Sequence, residues 1–272
     1  MVKNSIEEEI LNFWKGLTKF NVEIMTHAHI VYKKGVPPTY FGPIKFKIPE
    51  KYSYREFDAF SMNISRIMHL YQELFRDPLI HFKLHINASS PYSNELIELK
   101  NSVFAESVII LLMSAIEVFL EDTFRKIARV LPINTLDIRL LKRFLKLFYI
   151  DFKLERRKKK LRNIKLSSML PERMDFQKSR NCKIAYKLAS INIPDLNISL
   201  WEYVFASKNP NSLLSRRNSI IHALTRTLER LKITKEDVKQ DIEKTCEFIF
   251  NIEEKMVELY SDKIRPDIYY FS

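Results

Sequence analysis

Only three glycines occur in the 272 residues, Gly16, Gly35 and Gly42, so residues 43–272 contain none. Their absence excludes from most of the chain the glycine-rich phosphate loops of P-loop and dinucleotide-binding folds. It also argues against tight β-hairpins, whose two-residue turns rely on Asn-Gly or Gly-Gly to reach positive φ. The expected fold class is therefore all-α, a helical bundle, preceded by an N-terminal extension with room for one or two short strands. At this length, with 46% hydrophobic and 29% charged residues, the chain can bury a substantial core without a staple of disulfides or metal. Cys182 and Cys246 stand far apart without CxxC spacing, which points to neither a disulfide framework nor a cysteine-based zinc site.

The apolar spacing supports this reading. Residues 4–20 carry Ile6, Ile10, Leu11, Trp14 and Leu17 on a helical period. Glycines and prolines then punctuate residues 16–49, where the short strands are expected. A helical pattern returns over residues 54–75 through Phe57, Phe60, Ile64, Ile67, Leu70 and Leu74, and Pro78 ends it. The turn-rich NASSPYSN at 87–94 marks the expected boundary between an accessory region, residues 1–92, and a helical domain, residues 93–272. Within that domain the pattern predicts a long helix over 95–130, a basic helical region over 135–162, and a polar, poorly periodic stretch through Pro171 to Pro194. A short helix at 200–206 follows, then two longer ones over 212–232 and 235–261. Thr234 and Asp237 have the capping-box spacing at the start of the last. The apolar tail, residues 267–272, is expected to dock on the body or on a second subunit.

Charge is segregated. Residues 141–190 hold sixteen Lys/Arg against four Asp/Glu, and the rest of the chain is balanced. Such a region suits a polyanion, with RNA, DNA and an anionic membrane surface as the usual ones. The densest run is Lys153 to Lys165, containing Arg156, Arg157, Lys158, Lys159, Lys160 and Arg162. Beside it, Arg143, Phe144, Lys146, Phe148, Tyr149, Phe152 and Lys153 interleave aromatic and basic side chains, which suits either base stacking or an amphipathic helix. The chain lacks the unbroken apolar segment of a secretory signal or a membrane span, so a cytoplasmic protein with no membrane partner is expected. His27 with His29, and His81 with His85, lack neighbouring cysteines or a clear carboxylate set, so neither a metal nor another cofactor is expected.

Two helices carry polar residues where apolar ones belong. In the helix from Ser212, Leu214, Ile221, Leu224, Leu228 and Leu231 form a seam whose missing member is Arg217, an expensive residue in a core stripe unless paired or facing a cavity or interface. Asn218 and His222, four apart, are neighbours on the same helix. In the long helix, Ser107, Ser114, Glu117 and Glu121 share one face of an otherwise apolar segment, and a Glu117–Arg217 ion pair is the plain structural reading.

The string Arg217-Asn218-x-x-x-His222, followed by ITKEDV and a long last helix, resembles the RN-x-x-x-H motif of the HEPN ribonuclease superfamily. The upstream SAIEVFLEDTF helix is similar to the first core helix of RiboL-PSP-type HEPN proteins. The resemblance covers residues 95–262. It implies a four- or five-helix bundle, commonly dimeric, that cleaves RNA without a metal, with Arg217 and His222 catalytic and Asn218 orienting the site. It places Glu117, Ser114 and Glu121 on the facing helix as supporting residues, and it implies a toxin–antitoxin or antiviral defence setting. Some HEPN toxins carry a tyrosine two residues after the histidine, where an antitoxin modifies it; Leu224 stands there, so that mode of control is not expected.

The chemistry suits these residue types. Metal-free RNA cleavage uses the ribose 2′-hydroxyl as nucleophile, leaving the protein to transfer protons and stabilise charge. Histidine exchanges a proton near neutral pH, and arginine presents a planar, permanently charged fork to phosphate oxygens. Positions 217 and 222 lie about 140° apart on an ideal helix, and a second copy across a two-fold axis relieves that divergence. The rivals are a non-catalytic HEPN module that binds RNA or a protein partner, and a DNA- or membrane-surface-binding protein that uses only the basic patch.

Overall fold

The computed structural model describes residues 54–76, 93–150, 164–225 and 233–264. The expected helix over residues 4–20, the strands over 16–49, the paired histidines, the boundary at 87–92 and the tail from 267 lie outside them. Among the described residues the secondary structure is helical: α1 Arg55–Arg76, α2 Ser93–Ala128, α3 Ile138–Leu147, α4 Ser179–Leu188, α5 Ile193–Leu196, α6 Ile198–Phe205, α7 Leu213–Thr225 and α8 Lys235–Tyr260. No helix among them is long and apolar enough to cross a membrane.

Helix α2 is the axis of the bundle, packed by α1, α4, α7 and α8. Its Val108, Ile109, Leu112, Ile116, Leu120, Phe124 and Ile127 are fully buried, which is why its sequence is apolar over more than one face. Helix α1 lays Phe57, Phe60, Ile64 and Ile67 into the same core, where Phe57 meets Phe250 and Phe60 meets Phe119 edge to face. A second aromatic cluster joins α2 to α3 and α4, with Phe124 touching Phe144, Phe176 and Tyr186. The buried Tyr186 hydroxyl donates to the Leu120 carbonyl at 2.9 Å, giving the otherwise apolar cluster a directional tie.

The capping box of α8 is present: Thr234 N–H donates to Asp237 Oδ2 at 2.8 Å, and Asp237 N–H donates to Thr234 Oγ1 at 3.2 Å. Two other expectations need correction. The basic helical region was expected to continue to residue 162, but α3 stops at Leu147, where Tyr149 takes a left-handed φ and Phe148 packs against Phe144 and Phe176. The stretch expected to be irregular contains α4, whose Asn181, Cys182, Ile184, Ala185, Tyr186 and Leu188 are all buried. Its exposed Arg180, Lys183 and Lys187 follow a helical period on the outer face, but the helix is ten residues long and Asn181 stands on its buried side, which blurs the apolar stripe.

Without glycine, both α3 and α4 end in the same way. Tyr149, at φ 54°, donates to the Lys146 carbonyl while Ile150 N–H reaches back to the Leu145 carbonyl at 2.9 Å. Ser190, at φ 61°, donates to the Lys187 carbonyl while Ile191 N–H reaches the Tyr186 carbonyl at 2.9 Å. These are Schellman caps with a side chain where glycine is preferred, at a cost of about 1 kcal/mol each. Residues 164–166 are tied back to the body by backbone pairing of Leu131 and Ile133 with Leu166 and Ile164.

Candidate active site

Helix α7 begins where Asn209-Pro210-Asn211 forces a turn. Ser212 accepts a bond from Ser215 N–H at 3.2 Å and caps it. Its buried stripe passes through Leu213 and Ile220, and the residue between them that turns inward is Arg216. This shifts the expected seam by one position. The arginine in the core stripe is not Arg217 but its neighbour, whose side chain is 11% exposed.

Arg216 is engaged through both terminal nitrogens, while its buried Nε has no hydrogen-bond partner among the described residues. Nη1 donates to Asp241 Oδ2 at 2.8 Å, Nη2 pairs with Asp241 Oδ1, and Tyr203 donates to the same carboxylate. Lys244 sits over the Tyr203 ring at 4.0 Å. Asp241 is completely buried. Burial pushes its carboxyl above the ordinary value, against the pull of the Arg216 guanidinium and the Tyr203 hydroxyl. Three helices, α6, α7 and α8, are clamped together by this cluster. Sequence reasoning missed it; the tandem Arg216-Arg217 and the inward position of Asp241, three residues after Val238 on α8, were the available signals.

On the other side of α7, Arg217 and Asn218 are half-buried and His222 is exposed. Arg217 Nη1 donates to Asn218 Oδ1 at 3.1 Å, which orients the guanidinium along the helix surface. The facing residue on α2 is Glu117. Instead of closing an ion pair with Arg217, its Oε2 accepts from Gln177 Nε2 at 2.6 Å, and Arg217 acts on it only through its field. Burial raises the Glu117 carboxyl above the ordinary carboxylate value. Asp175 and Glu121 add to that rise, while Gln177 and Arg217 oppose it. Gln177, from the stretch read as irregular, is a site residue the sequence did not reveal.

The other supporting residues are directed elsewhere. Ser114 is exposed and its hydroxyl donates to the Ile110 carbonyl of its own helix at 2.9 Å. Glu121 pairs with Arg125 at 2.6 Å and accepts Met174 N–H at 3.3 Å, tying residues 171–174 to α2. Arg156, Arg157, Lys158, Lys159, Lys160 and Arg162 lie outside the described residues. Among the described residues no group of three or more His, Cys, Asp or Glu is placed to hold a metal ion.

An all-α bundle with a central apolar helix, and an Arg-Asn pair with a histidine on the helix facing it, defines the class of helical domains to which the motif pointed. A family model described as RiboL-PSP-HEPN matches residues 76–258, two thirds of the chain, and the protein belongs to that family. The matched span begins at the last residue of α1 and includes Glu117, Gln177 and the Arg217 to His222 motif. No significant match is found among the curated proteins or among the solved structures.

Proposed function

We propose that this protein is a metal-independent endoribonuclease with Arg217 and His222 at its reacting centre and Asn218 orienting Arg217. The observation that carries the reading is the division of labour between adjacent arginines. Arg216 supplies the buried ion pair that holds α7 in place, while Arg217 lies at the half-open face with Asn218 as its one hydrogen-bond partner among the described residues. A guanidinium kept out of a salt bridge, beside a carboxylate already bonded to Gln177, is available to phosphate oxygens. Family membership suggests an RNase-like or RNA-binding function, and the site residues favour cleavage.

In the proposed reaction, His222 takes the proton of a ribose 2′-hydroxyl, whose oxygen attacks the adjacent phosphorus. The O2′–P bond forms, the P–O5′ bond breaks, and Arg217 stabilises the charge that builds on the phosphorane oxygens. The departing 5′ oxygen takes a proton from an imidazolium, which the His222 of a second copy supplies in a dimer. The products are a 2′,3′-cyclic phosphate, opening to a 3′-phosphate, and a 5′-hydroxyl. Pairing of two copies is supported by α2, which leaves Leu111 and Val118 exposed on the face that carries Ser114. A toxin or antiviral role, with an antitoxin or defence-system partner, is the setting proposed.

The test is cleavage of a mixed RNA pool by purified protein in excess EDTA, beside Arg217→Ala and His222→Ala variants of verified fold. Loss of about 10²- to 10⁴-fold in rate is expected for each. A folded parent that leaves every RNA intact would instead favour a non-catalytic HEPN module.

A further inference from the structure

Residues 138–150 contain Arg139, Lys142, Arg143 and Lys146 and no carboxylate, and all four cations are exposed on the outer face of α3. None of them forms an ion pair with a described residue. Arg139 with Arg143, and Lys142 with Lys146, are like charges four residues apart, an arrangement that destabilises a helix unless an anion lies over it. The inner face, Leu141, Phe144 and Leu145, accounts for the packing of this helix. Nothing among the described residues explains the outer one.

At the end of this cationic face stands Tyr149, 96% exposed and held at a left-handed φ of 54°. The cap does not need an aromatic there, since Ser190 serves the identical turn after α4. The ring buries nothing in the core either, because Phe148 fills that role. A backbone strained by a side chain that packs on nothing points outward to a ligand. The cap also lies on the side of the bundle that leads to the site. Phe148, next to Tyr149, packs against Phe176 with ring centroids 6.0 Å apart, and the adjacent Gln177 bonds Glu117, which faces Arg217, while Lys178 beyond it pairs with Asp175 at 2.8 Å.

We propose that the outer face of α3, with Tyr149 as a base-stacking platform, is a track that binds single-stranded RNA and leads it past Lys178 toward Arg217. The assignment rests on the nuclease reading of that site and adds to it a substrate class and a new contact residue. Exposed cations follow a phosphate backbone, and a free aromatic face accepts any unpaired base. A duplex offers such a ring no base face along its length, so single strands are favoured. An anionic bilayer is disfavoured, because this face offers a single exposed aliphatic side chain, Ile138 at its start, which is little apolar surface to insert.

The experiment measures equilibrium binding of a labelled, fully 2′-O-methylated 12-nucleotide single strand, which resists 2′-hydroxyl attack, to the full-length protein. Tyr149→Gly is expected to weaken binding about tenfold, since stacking contributes roughly 1–3 kcal/mol per base. Its thermal midpoint should stay equal or rise, because glycine suits the left-handed cap. Tyr149→Phe should bind like the parent, and an Arg143→Ser/Lys146→Ser pair should bind more weakly with a smaller salt slope. Equal affinity of the parent and Tyr149→Gly, or equal effects on duplex and single strand, would overturn the track. So would stronger Tyr149-dependent binding to anionic vesicles. Cleavage of unmodified RNA is followed in parallel. Tyr149-dependent binding without cutting by the parent overturns the nuclease reading alone, whereas cutting by Tyr149→Gly with unchanged KM overturns the track alone.

Discussion

The two sides of α7 hold adjacent arginines in opposite circumstances. Inward, Arg216 meets a fully buried carboxylate and a tyrosine, and both terminal nitrogens of its guanidinium are taken up by the fold. Outward, Arg217 is steered by Asn218 and faces a carboxylate that another residue already occupies. The same side chain is thus a structural clamp in one register and an available cation in the next. The clamp also fixes the rotation of α7 about its axis, and so decides which way Arg217 points.

The largest effect should come from breaking the inner side. Arg216→Ala leaves the buried Asp241 carboxyl without its cation, with Tyr203 as its remaining hydrogen-bond partner among the described residues, and a loss of about 3–5 kcal/mol is expected. Arg217→Ala removes no buried pair and should change stability by less than about 1 kcal/mol. Urea unfolding of the two variants checks the contrast. Equal destabilisation would mean that Arg217 also serves the fold, and would weaken its assignment to chemistry.

A second, smaller effect compares two carboxyls. Both Glu117 and Glu253 are raised by burial, but Glu117 sits at the open face whereas Glu253 is completely buried. Glu253 Oε1 accepts the Tyr54 N–H at 2.7 Å, anchoring the start of α1 to α8. Its carboxyl is pushed up to about 8, chiefly by desolvation, with Asp58 and Glu56 adding to the rise. In the unfolded chain it ionises near 4.5, so the folded state holds the extra proton between these values. The stability this proton contributes is full below about 4.5 and is lost as pH rises through about 8. Urea midpoints should therefore fall between pH 5 and 8.5 by an amount worth a few kcal/mol at most. Glu253→Gln should flatten that slope. A parent with no slope in this range would show that Glu253 carries its charge in the fold.

The sequence was most legible where local signals agreed with tertiary packing. The expected helices over 54–75, 95–130 and 235–261 correspond to α1, α2 and α8, because each has a long apolar period and, in α8, a capping box that both partners complete. Helix α1, placed by sequence in the region before residue 93, lays its apolar face into the core shared with α2 and α8. It was the short elements that escaped. Helix α4 is ten residues long with a polar Asn181 on its buried side, and α3 ends early in the left-handed cap at Tyr149, with Phe148 packed between Phe144 and Phe176. The site was legible as a motif but not as a geometry. RRNSIIH gives two arginines, and only the position of Asp241 on a helix twenty-five residues away decides which of them turns inward. Gln177 carried no signal at all, since its role depends on the tie between residues 171–174 and α2 through Glu121 and Arg125.

The smallest effect sharpens the same distinction at the two left-handed caps. Ser190→Gly and Tyr149→Gly each remove a Cβ from a conformation that glycine adopts freely, and each should gain about 0.5–1 kcal/mol, offset in part by the greater freedom glycine gives the unfolded chain. Thermal midpoints measured side by side check this. The two positions should then part company. Ser190 adjoins the carbonyl of Ala189 that accepts the Tyr260 hydroxyl, a contact within the fold, so its replacement should leave RNA affinity unchanged. Tyr149 projects its ring into solvent, so its replacement should stabilise the fold while weakening the complex. A residue whose removal improves stability and harms binding is held in place for its ligand, and the same logic separates Arg217 from Arg216.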